Sequence, residues 1–163
     1  MIWAFGLSAC IVVLDQATKA LVVATMTQNQ SIEIAGYLLR ITYIRNPAAA
    51  FGLNLGSITF YIIFSIIASI VVSYYIIRLP RRDHWPRLAL AMILAGALGN
   101  LIDRVRFGEV VDFIHVGLSS RLVWPIFNVA DMGVSVGVVL LMLFFLVVGE
   151  EEEEEMEDGG IAA

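Results

Sequence analysis

The stretch Ser57–Ile77, SITFYIIFSIIASIVVSYYII, runs for 21 residues without a charged side chain. A helix needs roughly 20 apolar residues to cross the ~30 Å hydrocarbon core of a bilayer, so this run is long enough to be a membrane span. Three further apolar stretches flank it: about Ile2 to Met26, interrupted by Asp15 and Lys19; Leu88 to Ile102; and about Ala130 to Val148, with Asp131 near its start. The first and last also have spanning length. The third is short, and either flanking residues complete it or it lies partly under loops. Backbone groups in lipid must hydrogen-bond within their own segment, which reads all four as helices. The first stretch is expected to stay in place rather than be a cleaved leader, because no Lys or Arg precedes it and its apolar run continues past Cys10.

Composition points the same way. Of 163 residues, 60% are hydrophobic and only 15% charged, where soluble domains have about a quarter charged. The length suits one domain. The net charge of −5 hides an asymmetry: eight of the 15 acids lie within residues 150–163, leaving seven acids against ten bases elsewhere. Such a like-charge block is expected to be a solvated, disordered tail. Residues 1–149 therefore read as a four-helix membrane domain and 150–163 as an acidic cytoplasmic tail. No basic stripe points to nucleic acid. Cys10 is the only cysteine, so no disulfide within the chain and no cysteine-based metal site can form.

Orientation follows from the loops. Arg78, Arg81, Arg82 and Arg87 crowd the short link between the second and third stretches, and the positive-inside rule makes that link cytoplasmic. Both termini are then cytoplasmic, and 27–56 and 103–129 face outward. Those outer segments hold Arg40, Arg45, Arg104, Arg106 and Arg121, so the assignment rests on density rather than count. Ser31 to Arg45 is rich in β-branched and aromatic residues, with Ile41, Tyr43 and Arg45 on one face and Thr42 and Ile44 on the other. It reads as short strands bent at Gly36. Trp3, Trp85 and Trp124 fall near expected interfaces.

Ionisable groups at membrane depth cost about 2.5–3.5 kcal/mol each at a helix centre, so each one needs a reason. Asp15 and Lys19 are four residues apart and share a helix face; they read as a self-neutralising pair, with Lys19 snorkelling outward, or as part of a site. Asp112 has apolar neighbours on both sides in Val110-Val111-Asp112-Phe113-Ile114, a setting that would raise its pKa. It could equally be a loop acid paired with Arg104 or Arg106. Asn128 can be an N-cap, which puts Asp131 at N3 as in a capping box. Asp112 and Asp131 are 19 residues apart and flank an excursion containing Gly117, Ser119, Ser120 and Pro125, so a chain that turns and returns could bring them level. Two close carboxylates share one proton. The ionised one can then activate water while the neutral one polarises a carbonyl, which is aspartic peptidase chemistry.

The blocks Asp15 to Lys19, Asn46 to Phe51, Gly99 to Arg104, Val110 to Phe113 and Phe127 to Asp131, in that order around four membrane stretches, resemble the motifs of the lipoprotein signal peptidases (signal peptidase II). The resemblance covers residues 1–148. It implies an all-α polytopic membrane protein with four transmembrane helices, a small extracytoplasmic β-sheet and a short surface helix. It also implies that Asp112 and Asp131 are the catalytic dyad, that Asn46, Asn100, Arg104 and Asn128 line or support the site, and that Asp15 and Lys19 brace it. No cofactor and no metal are implied. The substrate would be a diacylglyceryl-modified prolipoprotein, cut just before the lipidated cysteine by a monomer in the bacterial inner membrane, with membrane lipid around it and the site at the outer face. One departure is Ala48, where the family usually has Gly. The Glu-rich tail is not part of the family pattern.

A small proton-coupled transporter is the alternative, with Asp15 and Lys19 as a relay. Its weakness is that the other acids cluster near the surface rather than the midplane. A zinc peptidase would want several His ligands, but only His84 and His115 exist and no H-E-x-x-H is present. A serine mechanism drawn from His115 with Ser119 or Ser120 lacks a nucleophile elbow.

Overall fold

The computed structural model describes residues 1–36, 38–47, 57–117, 119 and 122–160, with side chains described up to residue 147. The order of elements is α1 (Ile2–Thr25), β1 (Ser31–Ala35), β2 (Leu39–Asn46), α2 (Ile58–Arg78), α3 (His84–Phe107), β3 (Val110–Val116) and α4 (Val129–Gly160). All four helices are long and apolar enough to cross a membrane. The third stretch is completed by its flanks on both sides and reaches 24 residues. It can be less apolar than its neighbours because α3 sits among them, touching α1, α2, α4 and β3, so that protein rather than lipid covers much of it. Half of its buried residues are alanine or glycine: Ala89, Ala91, Ala95, Gly96 and Gly99.

Small residues let the helix backbones meet. A Cβ at Gly99 would stand 2.7 Å from Asp15 Oδ2 and 3.0 Å from Ala130 Cβ, and one at Gly96 would run into the Ala130 carbonyl oxygen. The contacts also give directions. Ser8 Oγ donates to Ala91 O at 2.7 Å and the Trp3 and His84 rings lie 6.3 Å apart, so α1 and α3 start at the same end. Gly137 of α4 meets Ala89 and Gly96 meets Val134, so α4 runs back toward that end. Arg87 lies there too, but it is not a surface charge: it is 2% exposed. Its guanidinium donates to Leu79 O at 2.7 Å and Pro80 O at 2.8 Å, so it ties down the carbonyls just past the end of α2.

At the opposite end three antiparallel strands form a sheet in the order β1-β2-β3. The turn after β1 passes through Gly36 at φ +55°, where a glycine carries no steric penalty. Tyr43, Val111 and Phe113 of the sheet pack on Val22 and Met26 near the end of α1. The clean alternation expected along β2 is broken by a bulge between Ile41 and Ile44, so Thr42 and Tyr43 are both buried. β3 is a strand where the sequence reading had a loop; it pairs Asp112 with Ile44 and Val110 with Asn46. Among the described residues no fifth helix occurs, so the short surface helix is not seen there. Ala48, like the rest of 48–56, lies outside the described residues. The α4 backbone stays helical through the Glu-rich segment to Gly160, where a disordered tail was expected; Glu is among the better helix formers.

Gly96→Ala is expected to lower stability by about 1–3 kcal/mol through overpacking, read as a lower unfolding temperature in detergent. Gly6→Ala, whose Cβ would meet nothing within 4 Å, should leave that temperature unchanged.

Candidate active site

Six buried polar residues, Asp15, Lys19, Asn100, Asp103, Asp112 and Asn128, lie at the sheet end of the bundle and belong to one hydrogen-bonded cluster. It is built from α1 outward. Lys19 is 3% exposed, and all three of its N–H donors have acceptors: Asp15 Oδ2 at 2.8 Å, Asp103 Oδ2 at 2.9 Å and Asn100 Oδ1 at 3.1 Å. The snorkelling expected of Lys19 does not occur, because two carboxylates compensate its charge inside the protein. Gln16 adds a donor between the acids, at 2.9 Å from Asp103 Oδ1 and 3.2 Å from Asp15 Oδ2.

Asn100 passes the order set by Lys19 to the next layer. Its Oδ1 accepts from Lys19, a group that can only donate, so the amide cannot be flipped. Its Nδ2 therefore points to Asp131 Oδ1, 2.8 Å away. Asn128 also donates to Asn100 Oδ1, at 3.1 Å, and to Asp112 Oδ1 at 2.6 Å. The reciprocal bonds of a capping box start α4: Asp131 N–H donates to Asn128 Oδ1 at 3.0 Å, and Asn128 N–H donates to Asp131 Oδ2 at 3.2 Å. One residue, Asn128, thus bonds both carboxylates. Asn46 at the end of β2 donates to Asp112 Oδ2 at 2.9 Å.

Asp112 is 2% exposed. Its carboxyl is pushed up to about 7, first by burial and then by the charge of Asp131, against hydrogen bonds from Asn46 and Asn128 that favour the anion. It makes no ion pair with Arg104 or Arg106; among the described residues neither arginine has a carboxylate within salt-bridge distance. The Arg104 guanidinium stands 5.5 Å over the Tyr61 ring and feels Asp131, Asp112 and Asp103 as nearby charges. His115 Nδ1 lies 3.1 Å from Thr42 Oγ1 on the sheet, and Ser119 Oγ accepts from Leu122 N–H. Ser120 lies outside the described residues. Among the described residues no group of three His, Cys, Asp or Glu side chains is arranged to hold a metal ion.

Seven of the eight residues singled out in the sequence, Asp15, Lys19, Asn46, Asn100, Asp112, Asn128 and Asp131, fall in this one network; Arg104 faces it without a hydrogen bond among the described residues. Sequence reasoning missed Asp103 and Gln16. Asp103 lies three residues after Asn100, hence on the same helix face, and entered the sequence reading as a member of the block Gly99 to Arg104 with no role of its own. The arrangement can do acid–base chemistry: two carboxyl groups with unequal surroundings, linked through one amide residue, beside a fixed cation.

A family model for signal peptidase (SPase) II matches residues 7–147. A lipoprotein signal peptidase of Geobacter sulfurreducens is 47% identical over 131 residues, 78% of this chain and 81% of the relative. One of Staphylococcus aureus is 41% identical over 130 residues, 80% and 79% of the two chains. A bacterial membrane enzyme solved by the in meso method at 2.3 Å resolution superposes with a TM-score of 0.82 at 37% identity, covering 90% of this chain and 88% of that one.

Lys19→Met is expected to destabilise the bundle by about 3–5 kcal/mol, because it strands two carboxylates in the interior. Adding Asp15→Asn should recover part of that loss. Thermal unfolding of the purified single and double variants in detergent measures both effects.

Proposed function

The chain belongs to the signal peptidase II family, and from that premise we propose that Asp112 and Asp131 are the dyad with which it cleaves. It is a multi-pass membrane enzyme that removes signal peptides from prolipoproteins. The observation that carries the dyad is the double attachment to Asn128, which bonds the Asp112 carboxylate through its side chain and the Asp131 carboxylate through its backbone.

Burial and the neighbouring carboxylate favour one shared proton on the pair; in the step drawn with that proton on Asp112, Asp131 is the base. Asp131 takes a proton from water as the water oxygen attacks the scissile carbonyl, and Asp112 gives its proton to the carbonyl oxygen. The tetrahedral intermediate then returns a hydroxyl proton to Asp112. The C–N bond breaks and the amine leaves with the proton held by Asp131. No covalent enzyme intermediate forms. Asn46, Asn100 and Asn128 hold the two carboxyls in register, Asp15 and Lys19 brace them, and Arg104 offers several donors to a substrate carbonyl or lipid head group.

The substrate is a prolipoprotein already carrying diacylglycerol on its cysteine, cut just before that residue by a monomeric enzyme. Its signal peptide is an apolar helix in the same bilayer, so both come together without leaving lipid. Arg78, Arg81 and Arg82 lie at the end away from the sheet, which supports a cytoplasmic link, cytoplasmic termini and a site at the outer face of the inner membrane. Residues 1–149 form the peptidase unit and 150–163 an acidic appendage. The transporter alternative loses its basis, since Asp15 and Lys19 have their hydrogen bonds committed to the network.

Asp112→Asn and Asp131→Asn should each lower cleavage of a diacylglyceryl-modified peptide by about 10²–10⁴-fold while the protein stays folded and inserted. Wild-type turnover by both would refute the dyad. Because the active form needs one proton on the pair, activity should fall as pH rises through about 7. The kcat/KM profile on the alkaline side measures this.

A further inference from the structure

The residues just before the two dyad aspartates are held in the same way. The backbone N–H of Val111 donates to Asp103 Oδ2 at 3.1 Å, one residue before Asp112. The backbone N–H of Ala130 donates to Asp15 Oδ1 at 2.9 Å, one residue before Asp131. Both carboxylates are 0–1% exposed, and one ammonium, that of Lys19, lies between them at 2.8 and 2.9 Å. Gln16 Nε2 spans the same two acids. The path from Asp112 to Asp131 therefore closes behind the site through Val111, Asp103, Lys19, Asp15 and Ala130. The members come from α1, α3, β3 and α4, of which only α3 and β3 are joined by a short link.

The geometry points to Asp103, with Gln16, as positioning residues that set the spacing of the dyad: the Asp15–Lys19–Asp103 cluster works as a caliper, each carboxylate gripping the backbone beside one aspartate. This rests on the dyad reading above. Neither Asp103 nor Gln16 touches the dyad carboxylates among the described residues, so both act through the backbone and through Asp15. A carboxyl pair held close has its two apparent protonation steps pushed apart, and those steps belong to the pair. Loosening the caliper should bring them together. The charged groups that act on the pair are Asp15 and Lys19 from α1 and Arg104 from α3, and Arg104 in turn faces Tyr61 from α2 and Asp103 from its own helix. β2 contributes the uncharged Asn46, with Arg45 turned toward Tyr43 and Phe107.

The test uses the full chain in lipid nanodiscs with a diacylglyceryl-modified peptide, measuring kcat and KM across pH per folded enzyme. Asp103→Asn should lower kcat by about 100-fold, the scale expected for a displacement near 1 Å, with KM unchanged. Gln16→Met, which alters no charge, should lower kcat less. In both, the two limbs of the pH profile should move toward each other. Limbs that slide together in one direction at wild-type kcat would reveal a charge effect alone and overturn the inference. So would an unchanged profile in folded enzyme. If Asp103→Asn does not fold, Gln16→Met decides by the same criteria. Parallel assays of Asp112→Asn and Asp131→Asn separate the two ideas: if those are inactive while Gln16→Met and Asp103→Asn are normal, only the caliper fails.

Discussion

A single ammonium group, that of Lys19, is buried with all three donors committed, and the polar interior is ordered around it. In a low-dielectric interior an unpaired charge is not tolerated, so Asp15 and Asp103 are drawn to it. Asp15 with its other oxygen, and Asp103 with the same Oδ2 that meets Lys19, each also accept a backbone N–H from another element. The third donor fixes the Asn100 amide, and a fixed amide fixes the hydrogen bond to Asp131. A preference that begins as charge neutralisation thus ends as placement of side chains on β3 and α4.

This order depends on close approach between helices, and there the apolar part of the sequence matters. Gly99 leaves room for the Asp15 carboxylate between α1 and α3, and Gly96 lets α4 come down onto α3 beside Ala130. Larger residues at either position would push α4 outward and carry Asp131 with it. Packing and electrostatics are therefore one constraint here: the small residues bring the polar groups within reach, and their hydrogen bonds hold the helices there.

The four spans were legible in the sequence because lipid demands long apolar runs with internal backbone hydrogen bonds. The start of α4 was legible too, since Asn128 and Asp131 stand at capping-box spacing. What stayed hidden was non-local. β3 is a strand because β2, some 66 residues earlier at Asn46 and Asp112, supplies its partner; its own residues, next to a stretch with Gly, Ser and Pro, read as loop. Asp103 stayed hidden because its role needs Lys19 from another helix. Lys19 read either as snorkelling from a self-neutralising pair or as part of the site, and the second acid, Asp103, which decides between the two, comes from another helix. Arg87 counted toward a basic cytoplasmic link, yet it is spent on the carbonyls at the end of α2.

The chain's function as a remover of signal peptides narrows to one question of protonation: whether Asp112 and Asp131 behave as one unit. A carboxyl infrared titration of the folded enzyme, with aspartate isotopically labelled, tests this most directly. One protonated carboxyl should persist near neutral pH, and its titration should move down when Asp131→Asn removes the neighbouring charge, while burial keeps it above the ordinary aspartate range. Two carboxyls that both ionise in the ordinary aspartate range, with Asp112 indifferent to Asp131, would contradict it.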